Sequence, residues 1–218
     1  MAMMTGQRAV WLRQSEIRVM SRLPSRLAVI ALLSLAGCAA PPPPAPSFPD
    51  IRFTDSPPIQ LDVTEIGLYG TFQPSNQLPE IDNSFPVPPV TAIQNWIHDR
   101  LTADNPTSTA QARVTILDAS VRQVALKPTT TGIENVFTKE QAYRYDGHAA
   151  ARIEIYDKGV AVRTATVETS LSRSIAEGST LNDRDQLWYA MSHDMAENLG
   201  KAMETQIRAN FPPYARLP

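Results

Sequence analysis

A single cysteine, Cys38, in a chain of 218 residues leaves no partner for an internal disulfide, so burial alone must hold the fold. Histidine is nearly as scarce: His98, His148 and His193 are the only three, which leaves little for acid–base or metal chemistry. No apolar run is long enough to cross a bilayer, because the longest candidate, Leu27 to Ala36, is about half of the roughly twenty residues a spanning helix needs. Lys and Arg never cluster, and neutralising phosphates requires that they do, so no nucleic-acid partner is expected. Gly-rich phosphate loops, Gly-x-Ser-x-Gly and His-Glu-x-x-His are all missing, and with them the common signatures of nucleotide, acyl-transfer and zinc-peptidase sites.

What is present begins with a leader. Arg22 and Arg26 precede the apolar run, and the small residues Ala36 and Gly37 follow it, the order of a secretory signal. Leu35-Ala36-Gly37-Cys38 resembles the bacterial lipobox in all four positions. The small side chains let a peptidase approach the backbone, and the thiol accepts a thioether-linked diacylglycerol with palmitate-class chains. Residues 1–37 are therefore expected to be removed. Read from Met20 the signal is compact, whereas residues 1–19 add a polar stretch that such signals do not need. Five Arg and one Glu lie ahead of Cys38, so the mature chain carries 15 basic and 21 acidic residues, a charge of −6. An acidic surface disfavours electrostatic membrane binding, and the membrane partner is expected to be reached through the lipid on Cys38. Ala39 follows Cys38, which resembles an outer-membrane address with the protein on the periplasmic face. Six prolines between Ala39 and Asp50 favour extended polyproline II, so residues 38–50 are expected to be a spacer and 51–218 one folded domain.

Within that domain the hydrophobic period alternates between two and about 3.6. Ile59, Leu61 and Val63, continuing into Leu68, Tyr69 and Phe72, predict a first strand. Gln73 to Pro89, rich in Pro, Asn and Ser, predicts a long surface loop of the kind that often binds partners. Pro88-Pro89 then opens a helix with Val90, Ile93, Ile97 and Leu101 on one face, ended by Asn105-Pro106. From Gln111 to Leu126 a parity slip from Ile116 to Ala119 predicts a bent strand with a bulge near Asp118, followed by a second loop from Pro128 to Asn135. Tyr143–Tyr156 and Val160–Ser172 flank Asp157-Lys158-Gly159 and predict an antiparallel hairpin, bulged near Arg163. Asn182 or Asp183 is expected to cap a last helix, with Leu187, Met191, Met195, Leu199, Met203 and Ile207 along one stripe to Phe211.

The order β-α-β-β-β-α predicts an α+β two-layer sandwich: a four-stranded, mainly antiparallel sheet with two helices on one face. That order, behind a lipobox and a proline spacer, resembles the ABC-type transport auxiliary lipoproteins and the lipoprotein plug of the lipopolysaccharide-assembly translocon; the ending Arg216-Leu217-Pro218 is also similar to some of the former. The resemblance implies a non-enzymatic accessory subunit of an envelope transport or assembly complex, with protein partners. A small periplasmic enzyme, or an activator or pilot lipoprotein of a wall synthase or secretin, is the alternative.

Chemistry-bearing residues are few. His98-Asp99 and His193-Asp194 are helix neighbours about 100° apart and so form no prebuilt dyad, and His148 lies near Asp146. No nucleophile, cofactor cradle or metal motif accompanies them, so no enzyme activity, cofactor or metal is expected. Met191, Met195 and Met203 read as core, although methionines also line adaptable grooves. For partner binding the candidates are Gln73, Asn76, Leu78 and Phe85 on the first loop, and Trp96 and Trp188 (with Tyr189), aromatic residues off the main stripes.

Overall fold

A computed structural model describes residues 47–126 and 141–216. They belong to the second of two compact units, Pro46–Pro218. The lipobox, Cys38, residues 39–46 and the 128–135 loop lie outside the described residues.

The alternating segments form the expected antiparallel strands β4 (Ala110–Ala125), β5 (Gln141–Asp157) and β6 (Val160–Ala176). Ala149, Ala151, Ile153 and Ile155 of β5 are fully buried, with Ala165 and Val167 beside them on β6. Lys158 and Gly159 make the β5–β6 turn with φ of 50° and 80°, the left-handed pair that matches a hairpin's own twist. Register slips between Ile116 and Asp118, so Leu117 has no opposite and the buried parity passes from Ile116 to Ala119. A second slip, where Ile155 faces Arg163 but Tyr156 faces Ala161, leaves Val162 as the extra residue.

The single first strand is corrected to two. β1 (Ile59–Leu61) and β2 (Ile66–Gly70) lie in different sheets. β2 pairs in parallel with β4 at the edge of the four-stranded sheet β2-β4-β5-β6; β1 lies between β3 (Leu101–Ala103, parallel) and β7 (Ala215–Arg216, antiparallel) in a small sheet that was not expected. The break has a cause in register. Paired residues are 42 apart at Ile59–Leu101 and 46 apart at Ile66–Ala112, so four surplus residues must leave the ladder between them. They do so around Asn105-Pro106, while Leu61 O accepts from Asp104 N (2.8 Å) and Thr64 N donates to Ala110 O (2.9 Å) across the gap.

Both helices cover one face of the large sheet. α1 (Pro89–Arg100) starts on its expected proline and buries Ala92, Ile93, Trp96 and Ile97. It ends at Arg100, ahead of Asn105-Pro106, because Leu101 already turns extended into β3. α2 (Leu181–Asn210) is capped two or three residues earlier than expected, by Thr180 rather than Asn182 or Asp183. Thr180 Oγ1 accepts from Asp183 N at 3.1 Å and Asp183 Oδ2 accepts from Thr180 N at 2.9 Å, a closed capping box. Met191, Met195, Leu199, Met203 and Ile207 are all buried, as the stripe requires. Among the described residues no helix is long and apolar enough to cross a membrane.

The helices meet where Gly200 faces Trp96. A Cβ at Gly200 would stand 2.1 Å from the indole, so only glycine permits this approach. Gly200→Ala must separate the helices or displace Trp96, and is expected to cost about 1–3 kcal/mol as an overpacking change. Thermal unfolding of the variant measures it; an unchanged midpoint would show that the helices do not meet here.

Candidate functional site

The first loop is only half a loop. Ile81, Phe85 and Val87 are buried, and the carboxylate of Asp82, 1 % exposed, accepts from Ser75 N at 2.8 Å. Ile81 N donates to Val121 O (2.9 Å) and Gln123 N to Pro79 O (2.8 Å), so the segment covers the edge of β4 beyond the end of β2. Gln73, Asn76 and Leu78 remain on the surface, Leu78 at 72 % exposure.

Phe85, Trp96 and Trp188 do not join them, which corrects their place among candidate partner contacts: each is about 5 % exposed or less and is held in the core. Phe85 stacks on Trp188 with centroids 4.9 Å apart, Tyr145 meets the same indole edge-on at 5.6 Å, and the Arg184 guanidinium lies 4.4 Å above it. Burial pushes the Tyr145 phenol above its ordinary pKa. Trp188 Nε1 is the one buried side-chain polar atom without a hydrogen bond among the described residues, although it lies near enough to the Tyr145 hydroxyl to oppose that rise. Beside this cluster opens a cleft of about 500 Å³ lined by Tyr143, Tyr145, Ile175, Leu181 and Arg184. A smaller apolar groove of about 280 Å³ runs between Ile66 and Leu68 of β2 and Ile97 and Leu101 at the end of α1.

Sequence reasoning missed a strap. Residues 48–57 lie along the helices: Phe48 packs on Tyr189 (5.3 Å), Ile51 is buried, Asn95 Nδ2 donates to Ile51 O (3.0 Å) and Arg100 donates to Pro57 O. Asp99, its side chain 2 % exposed, is the clip, accepting from the Arg52 guanidinium through both oxygens and from Phe53 N at 2.9 Å. The Arg52 hydrogen bond, working against burial, lowers its pKa to about 2. The only sequence signal was Ile51-Arg52-Phe53, an apolar-charged-apolar triplet just past the prolines.

A folded-state pKa below the unfolded value of 3.8 stabilises the fold above pH ~4, and that stability is lost as pH falls toward 2. Asp99→Asn should lower stability at pH 7 by on the order of 1 kcal/mol, because the half-exposed Arg52 leaves the pair partly screened by solvent, and progressively less as the pH falls below about 4. Melts of both proteins across that range check it, and a pH-independent difference would rule out the ion pair as the cause.

The histidines are dispersed. His98 is 84 % exposed and its neighbour Asp99 is engaged by Arg52. His148 pairs not with Asp146 but with Asp118 across the ladder, Nδ1 to Oδ2 2.9 Å, on the solvent face of the sheet. Asp146 is held instead by Arg144 (2.8 Å) and Ser172 (2.7 Å), and the Arg144 hydrogen bond lowers its pKa. His193 stacks on Phe53, centroids 5.4 Å apart, at the mouth of a cleft of about 190 Å³ between strap and helices. Among the described residues, none of these places sets a nucleophile against a base that a third group orients. The geometry offers surfaces for adhesion: an exposed loop tip, an apolar groove, and a cleft with aromatic walls and one guanidinium.

No protein-family model matches the chain, and no curated protein does. Among solved structures it is similar to a minor lipoprotein from Acinetobacter baumannii, with 12 % identity over 71 % of this chain and 97 % of that one and a TM-score of 0.39. It is also similar to rare lipoprotein B from Shewanella oneidensis, with 9 % identity, 65 % and 95 % coverage and a TM-score of 0.38. Uncharacterized lipoprotein B from Nitrosomonas europaea gives 12 % identity, 67 % and 87 % coverage and a TM-score of 0.39. Likeness at this level assigns no role to any residue of this chain.

Proposed function

We propose that the chain is a lipoprotein, acylated on Cys38, that presents its α+β domain on the periplasmic face of the outer membrane as a non-enzymatic accessory subunit of an envelope transport or assembly complex. The observation that carries this proposal is Leu35-Ala36-Gly37-Cys38 behind a short basic-then-apolar leader, which explains why the only cysteine stands where it does. The six prolines that follow fit a tether ahead of a domain that starts by Phe48. Support for binding over catalysis comes from the dispersed histidines and from Leu78, a large apolar side chain 72 % exposed at the tip of a segment whose base is pinned by Asp82. A rigidly based tip with one apolar anchor loses little entropy on docking, which favours it as a contact residue.

Leu78→Asp combined with Asn76→Gly should abolish complementation of a deletion strain and weaken capture of the membrane partner at least tenfold. The melting temperature should not change, because neither side chain touches the core. Full complementation by this variant would remove the loop tip from the partner surface. Restoring function requires the complex, so crosslinking the tagged lipoprotein in intact cells identifies which complex it serves.

A further inference from the structure

We propose that α2 carries a binding site for a divalent first-row transition ion, of which Zn²⁺ is the probe, formed by His193, Asp194 and Glu197. One ligand atom from each side chain lies within 4.8 Å of the other two, across one turn of the helix. His193 Nδ1 and Asp194 Oδ1 stand 3.4 Å apart, longer than a good hydrogen bond. It is close to the edge of a tetrahedron of ligands around zinc, about 3.3 Å for bonds of 2.0–2.1 Å. Glu197, 40 % exposed, is free to swing the remaining fraction of an ångström.

Two of the ligands are also held from outside the set. His193 is stacked on Phe53 of the strap. Asp194 Oδ2 accepts from Arg173 of β6 at 3.0 Å, leaving Oδ1 toward the histidine. Glu197 Oε1 is paired with Lys201 at 2.9 Å, a cation that a bound metal ion would have to displace. The adjoining cleft of about 190 Å³, which His193 and Glu197 both line, has room for water to complete the coordination. One imidazole and two carboxylates suit zinc and its neighbours better than calcium, which prefers more oxygen ligands, or copper(I), which prefers sulfur. The set has no sequence motif because its spacing, i, i+1 and i+4, is common on polar helix faces. It becomes a site only through the strap and β6. The inference is independent of the loop tip and of the partner proposed above.

Isothermal titration of zinc chloride into the mature, acylated chain in detergent tests it. Acylation removes Cys38 as a competing thiolate. The expected result is one saturable site per chain, weakened at least tenfold by His193→Gln and by Glu197→Gln, and unchanged by His148→Gln. Lys201→Gln should raise the affinity severalfold, because it removes the cation that competes for Glu197; an adventitious surface histidine would not respond to that change. Metal-free melting curves of every variant control for folding, and two ligand variants guard against one that fails to fold. A titration with no saturable site overturns the proposal, as does a site insensitive to both ligand variants or abolished by His148→Gln.

Discussion

Met195→Asp is expected to abolish cooperative unfolding of the domain. Met195 is 1 % exposed and reaches across from α2 to the sheet, its sulfur so close to Gly147 of β5 that a Cβ there would lie 2.6 Å away. An aspartate at this point would sit between the helix and the sheet. Its charge would sit beside Gly147 and Met191, within a cluster of buried apolar side chains. Burying an unpaired polar or charged group costs several kcal/mol, against a total stability of about 5–15 for a domain of this kind. Near-ultraviolet circular dichroism should collapse and the thermal transition should broaden or vanish. Met195→Leu, which keeps volume and polarity, should stay within about 1.5 kcal/mol of the original and serves as the control. A sharp, unshifted melt for the aspartate variant would place this stripe of α2 at the surface.

The second large effect concerns the anchor. With Cys38→Ser the hydroxyl cannot form the thioether, so the precursor should remain uncut and unacylated in the inner membrane. The change should be all or none, because cleavage of a lipoprotein signal waits on the thioether. Mass spectrometry of the membrane fraction separates the outcomes: the wild type should show the chain from Cys38 with its acyl groups, and the variant the intact leader. A variant that is cleaved and fractionates normally would refute the lipobox assignment and the tethered role built on it.

How much of this was legible beforehand follows from the range of the forces involved. The hairpin, both bulges and the stripe of α2 are written in local periodicity, since a buried face repeats every two or about 3.6 residues wherever the partner lies. The parity slip from Ile116 to Ala119 even located Leu117's neighbourhood. The split of the first strand was visible only as a second slip, from Val63 to Ile66. Its cause, the four surplus residues opposite, depends on which distant segment pairs with it. The same limit explains Trp96 and Trp188. Both stand off the main apolar rows of their helices, which reads as exposure, but Trp96 fills the space that Gly200 leaves and Trp188 is enclosed by Phe85 and Tyr145. The strap is the extreme case. Nothing near Arg52 announces Asp99, 47 positions away.

If the chain is acylated at Cys38 as proposed, the strap sets the length of the leash, because the folded part begins by Phe48, which packs on Tyr189, two residues before Asp50. At the roughly 3.1 Å per residue of extended polyproline, the nine residues 39–47 would allow a radius near 28 Å, where a tether running through Asp50 would allow about 37 Å. Volume grows with the cube of the radius, so on that reading docking the strap would shrink the space the domain searches by roughly twofold. On the proposed function, the local concentration that a membrane-embedded partner meets would rise by the same factor, within the millimolar range typical of short tethers. Asp99 would therefore influence how often the domain finds its partner without ever touching it.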